Sequence, residues 1–179
     1  MSAEPTSLPY TDTKPVGASD FYFAINATFR FIEQRLGPEG LRRYWHDIGT
    51  RYYAPVSQRW KSGGLSAVAS HWRDFFKAEP GAEVEVQQTD SEVVVQVRVC
   101  PMIKHLRDHG RDILPTFCQH CYVVSEAIAA PAGLCARVAG GNGVCTQRFS
   151  LVPMPPQDLE AIASCASHVS TSSPLNSGL

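Results

Sequence analysis

The chain contains no stretch approaching the ~20 consecutive apolar residues that a membrane-spanning helix needs, so no span is expected. It also lacks an excess of charge. Sixteen Lys and Arg against seventeen Asp and Glu leave a net charge of −1. That balance supplies no electrostatic footprint for nucleic acid or an anionic membrane. The densest basic pair, Arg42-Arg43, reads as a solvated helix face. Residues 1–18 hold neither a basic start nor an apolar run, which argues against a secretory signal and for a cytoplasmic protein. Asn26-Ala27-Thr28 matches the glycosylation pattern, but inside a helical stretch it carries no weight without secretion. No phosphate-cradling glycine loop, serine nucleophile elbow or dinucleotide fingerprint is present.

What is present suits one folded domain. The 179 residues are 44% apolar and 18% charged, ordinary values for a chain with a single real core. Six cysteines without an export signal point away from a disulfide framework and toward thiol or metal chemistry.

Residues 1–18, rich in Pro, Ser and Thr, read as a disordered lead-in; 19–169 read as one domain and 170–179 as a disordered, Ser-rich tail. A helix is predicted from Ser19 or Asp20, with Phe21, Ile25, Phe29, Ile32 and Leu36 as its stripe and Gly37-Pro38 as its stop. A second helix carries Leu41, Trp45, Ile48 and Tyr52 and ends before Pro55. A third runs from Leu65 through Val68, Trp72 and Phe75 to Lys77. The period then changes to two. Residues 83–86 and 93–99 alternate around Thr89-Asp90-Ser91, a hairpin, and Cys100-Pro101 closes its second strand. A short helical turn follows through Met102 to Arg107.

The next helix is read from a capping box, with Thr116 as N-cap and Gln119 reaching back, and Phe117, Cys121, Val124 and Ile128 as its apolar face. Residues 134–139 and 144–151 form a second hairpin around Gly140-Gly141-Asn142-Gly143, and an amphipathic helix is expected from Asp158 to about His168. The predicted fold is α+β: an N-terminal helical layer, then an antiparallel sheet built as strand–strand–helix–strand–strand.

The candidate chemistry lies on four cysteines. Cys118, at the second position of a capped helix, sits where unpaired N–H groups favour a thiolate. Cys121 is one turn on, Cys100 ends a strand, and Cys145 opens the last strand on the inward parity of Phe149 and Leu151. Cys100, Cys118, Cys121 and Cys145 together suit zinc or an iron–sulfur cluster, since soft thiolates in a tetrahedral shell match those centres. His105, His109 and His120 are substitute ligands nearby. Alternatively Cys118 is a nucleophile, with His120, His105 or Glu126, two turns down the same helix, handling protons. A third reading makes these cysteines small buried hydrophobes. Cys135 and Cys165 read as bystanders.

Three features now combine: a strand ending in Cys100-Pro101, a helix opening with Cys118, and Cys145-Thr146-Gln147-Arg148-Phe149 after a glycine loop. Together they resemble the L-2-amino-thiazoline-4-carboxylic acid hydrolase-like family over roughly residues 20–151. Members usually carry an acidic residue shortly after the second cysteine, where this chain has Gln119, His120 and Cys121. The resemblance implies hydrolytic opening of a small cyclic isothiourea. Water adds to the ring carbon between sulfur and nitrogen, and the carbon–sulfur bond breaks. A cysteine-held metal with an open position, or attack by Cys118, are the two routes it leaves. The same hairpin–helix–hairpin also resembles the vinyl-reductase-type ligand-binding domains, which bind a small molecule, hold a structural zinc on cysteines and catalyse nothing.

Overall fold

A computed structural model describes residues 17–165. The expected lead-in, apart from Gly17 and Ala18, and the expected tail lie outside the described residues. The chain folds as α+β. Helix α1 spans Phe21–Asp47 and runs into a π-helical turn at Ile48–Tyr52; α2 spans Ala54–Ala78. Strands β1 (Glu83–Gln88) and β2 (Glu92–Val99) precede helices α3 (Pro101–Asp108) and α4 (Gln119–Ala129). Strands β3 (Cys135–Gly141), β4 (Val144–Ser150) and β5 (Ile162–Ala163) complete it. No helix among the described residues is long and apolar enough to cross a membrane.

The predicted stop at Gly37-Pro38 is a kink. Gly37 leaves the helical region at φ 68°, and Pro38 restarts the helix in its first turn, where a missing N–H costs nothing. Gly64 (φ 59°) breaks α2 in the same way, just before the predicted start at Leu65. The roughly three turns of helix between Pro55 and Gly64 are not anticipated by the sequence pattern. Pro55 opens that helix rather than ending the previous one, and Val56 and Trp60 are fully buried there.

The face of α1 is also rotated from the predicted stripe. Phe21 and Leu36 are exposed, while Tyr22, Asn26 and Phe29 are buried. Asn26 is the polar member: its amide donates to Asp112 O at 2.8 Å and accepts from Leu114 N–H at 3.2 Å. A buried amide with both ends satisfied ties α1 to the loop before α4.

The sheet has the order β1-β2-β4-β3-β5. Both hairpins form as predicted, and they join antiparallel through β2 and β4. On the buried face, residues stack in rows across three strands. Val93, Phe149 and Ala136 form one row; Val95, Gln147 and Val138 the next; Val97, Cys145 and Gly140 the last. The first rows pack beneath Val56, Trp60 and Val68 of α2. A second cluster holds Phe29, Leu41, Trp45, Ile103, Leu106 and Phe117. Each fully buried side chain of this size contributes about 1.5–3 kcal/mol. Cys100, Val124 and Cys145 pack against both clusters and so lie at the seam between them, while Cys118 and Cys121 belong to the second cluster.

The expected helix from Asp158 is absent over the described residues. Residues 153–161 run without regular structure, and Ile162–Ala163 add a short strand parallel to β3, the one departure from an antiparallel sheet. The reason is a set of tertiary bonds that withdraw the segment from local helix. Arg137 donates to Met154 O and Pro155 O, Val138 N–H donates to Gln157 Oε1, and Gln119 Nε2 donates to Leu159 O. Gly141 lets β5 approach: a Cβ there would meet Ala163 O at 2.6 Å.

Candidate functional site: a cysteine cluster at the core seam

Cys100 caps α3 in extended conformation, and its N–H donates to Gly143 O at 2.9 Å. That bond docks the β3–β4 turn against the end of β2. The turn is the two-residue Asn142-Gly143 hairpin, with Asn142 at φ 57° and Gly143 at φ 102°. Arg107 of α3 holds it from outside, through Asn142 O at 3.2 Å and through Asn142 Oδ1. The turned backbone aims Asn142 N–H at Cys118 Sγ, 3.3 Å away.

Cys118 therefore receives its supporting donor from the hairpin, not from the helix start. The predicted capping box does not form. Thr116 Oγ1 donates to Glu33 Oε1, and Gln119, buried, donates to Leu159 O. Helix α4 begins one residue after Cys118. Its first N–H groups are already engaged, Gln119 to Thr116 O, His120 to Phe117 O and Cys121 to Cys118 O. No free helix-terminal donor is left to lower the Cys118 thiol. Instead the Cys165 sulfur beside it, and then burial, push its ionisation well above the ordinary thiol range.

The other three predicted cysteines share that neighbourhood. Burial raises Cys121 well above its ordinary value, and Cys118, Cys145 and Cys100 each add to the rise. Cys145 is pushed up to about 12, by burial and then by Cys100 and Cys118, while the Gln147 side chain opposes the shift. Cys100 is raised by burial, with Cys118 contributing. So Cys100, which follows β2, Cys118, which precedes α4, Cys121 of α4 and Cys145 of β4 lie close enough for charge on one to oppose charge on another. Cys135 stands apart at the start of β3, opposite Ser150.

The histidines and Glu126 are engaged elsewhere. His120 packs against Phe29, Phe117 and Trp45, with Nδ1 2.5 Å from Phe117 O. Burial lowers its pKa, against an upward pull from the Phe117 carbonyl, so the ring resists protonation. Its nearest thiol is Cys121, with Sγ 3.7 Å from Nε2. Glu126 accepts the Ala136 N–H at 2.5 Å and lies 3.4 Å from Arg137 Nη1, an anchor between α4 and β3. His105 packs at a tilt against the rings of Phe23 and His109 and lies 3.4 Å from Asp20. The catalytic set Cys118, His120 and Glu126 is thus not drawn together around one proton.

The residue missed from the sequence is Cys165. It is buried, and its Sγ lies 3.2 Å from Cys118 Sγ. Its position depends on the β3–β5 pairing, which a two-residue strand does not announce. Among the described residues, no group of three or more His, Cys, Asp or Glu is arranged to hold a metal ion. A surface cleft of about 360 Å³ lies between α2 and β1, lined by Arg73, Phe76, Lys77, Glu79 and Val84, with no cysteine in its wall.

Comparison with protein-family models, with curated proteins and with solved structures finds no match to this chain.

Proposed function

We propose that the protein is a non-catalytic binding module of the vinyl-reductase-like kind. In this reading Cys100, Cys118, Cys121 and Cys145 take up one thiophilic metal centre, zinc or an iron–sulfur cluster. What supports it is the approach of Cys100 and Cys145, at the core seam, to Cys118 and Cys121 of the adjoining cluster, with a backbone N–H placed on the Cys118 sulfur. Thiolates in such a cluster repel one another, and a cation reverses that penalty. An N–H donor to a ligand sulfur is the kind of outer contact that tunes metal–thiolate centres.

The donor chemistry fits zinc or an iron–sulfur centre, but among the described residues no three of these groups are arranged to hold a metal ion. Uptake would require the thiols to move together and release their protons. When bound, such a centre supplies a cross-link between β2, α4 and β4. Attack by Cys118 on a substrate needs a thiol that the substrate can reach, and Cys118 is buried.

The test is zinc uptake by reduced protein in competition with a chromogenic chelator. Cys100→Ser is expected to weaken uptake by more than ~100-fold, beyond the range of outer-contact losses, while Cys135→Ser leaves it unchanged. Equal affinity in Cys100→Ser and wild type would remove the four-cysteine centre. Turnover of a small thiazoline or cyclic isothiourea by the wild type would replace the module with the hydrolase.

A further inference from the structure

Strand β5 delivers a thiol that the four-cysteine reading leaves unused. Ile162 and Ala163 pair with Gly140 and Gly141, the Cys165 N–H donates to Pro115 O at 2.9 Å, and Ser164 Oγ donates to the same carbonyl at 3.3 Å. These bonds set Cys165 against the turn that leads into α4. Its Sγ then lies 3.2 Å from Cys118 Sγ, both residues being buried. Two sulfurs of a tetrahedral zinc site with ~2.3 Å bonds stand about 3.8 Å apart. The Cys118–Cys165 contact is tighter than that. It places the two sulfurs as direct reaction partners for each other rather than as two ligands held apart by an ion.

We propose that Cys118 and Cys165 are a redox-active dithiol, which oxidation joins in a disulfide that fastens residues 162–165 to the start of α4. With hydrogen peroxide as oxidant, one thiol takes an oxygen to become a sulfenic acid and one water leaves. The partner sulfur then attacks the sulfenic sulfur. The S–S bond forms, the S–O bond breaks, and the hydroxyl departs with the second thiol's proton as water. Overall two thiols lose two protons and two electrons, and the peroxide takes both up to become two waters. A small thiol reductant reverses the step by exchange. The bond spans 47 positions of sequence and adds a covalent link to a contact held by the β5 pairing, the Cys165 N–H bond to Pro115 O and the Ser164 side chain. The inference needs these two thiols alone and stands whether or not Cys100 and Cys145 ever hold a metal.

The full chain, reduced and stripped of metal with a chelator, is treated with one equivalent of hydrogen peroxide, alkylated and digested without reductant. Mass spectrometry with peptide fragmentation then locates each sulfur. The expected result is a Cys118–Cys165 link in most molecules, with Cys100, Cys121, Cys135 and Cys145 alkylated, and loss of the link on treatment with dithiothreitol. The same link is expected in Cys135→Ser. Cys118 linked to Cys121 or Cys145 instead, or all six cysteines alkylated after the peroxide is consumed, would overturn the proposal.

Discussion

The ionisation of Cys118 is set by two opposing influences. The Asn142 N–H at 3.3 Å favours negative charge on its sulfur, while the Cys165 sulfur and burial oppose it, and the opposition prevails. Residues of this kind need a cation or a covalent partner before the sulfur can act. A clearer pH effect belongs to His71. Burial, then Arg59, lower its pKa to about 4, against a smaller upward pull from Asp74, and its ring packs beside Trp60 and Trp72. The unfolded chain then binds this proton near pH 6.5 while the folded chain resists it until about 4. The stability that neutral His71 contributes is therefore present above pH 6.5 and lost as the pH falls toward 4. The loss amounts to up to about 3 kcal/mol. Urea unfolding at pH 7, 5.5 and 4 should show the fall, and His71→Gln should flatten it; an equal slope in the variant would contradict the assignment. At this scale the inward parity of Cys145 and the one-turn spacing of Cys118 and Cys121 were legible, because both are local patterns. Cys165 was not, because only long-range pairing gives it a partner.

Elements were legible where period and turn chemistry agreed. The Asn142-Gly143 turn between alternating runs gave the second hairpin, and the α4 face of Phe117, Cys121, Val124 and Ile128 does meet the core. They failed where tertiary partners overrode local signals. Thr116 and Gln119 have the capping-box spacing, yet Glu33 and Leu159 O take their side chains. Pro55 reads as a stop but serves as a start. Asp158 begins a helical pattern that Arg137, Val138 and Gln119 pull straight. The most sensitive junction is the seating of β5 on β3. Gly141 has φ 137°, and an added Cβ would lie 2.6 Å from Ala163 O. Gly141→Ala should cost about 1–3 kcal/mol, the usual range for forced overpacking, and should speed amide exchange along β3. Unchanged urea stability would show that β5 is not seated there.

At the scale of the molecule, two hydrophobic clusters meet along one line, and the sheet, α3 and α4 each contribute to it. The general α+β arrangement follows from composition and period. The seam does not, because it depends on how β2 and β4 join the two hairpins and on where the β3–β4 turn docks against Cys100. That docking brings Cys100, Cys145 and Cys118 near one another and makes the site a property of the whole fold. A metal centre there would stabilise the folded chain in proportion to its saturation. Its affinity would fall with pH, since each raised thiol must lose its proton to bind. Cys118 is shared between the proposed centre and the proposed disulfide, so the two states exclude each other.

Metal analysis of anaerobically purified protein, with a thiol count before and after chelation, decides whether these cysteines take up a metal centre. About one zinc per chain, or iron with matching sulfide, is expected, with about four thiols that react only after chelation. A metal-free chain whose cysteines show the same reactivity before and after chelation would contradict the metal centre and leave them as packing residues of the core.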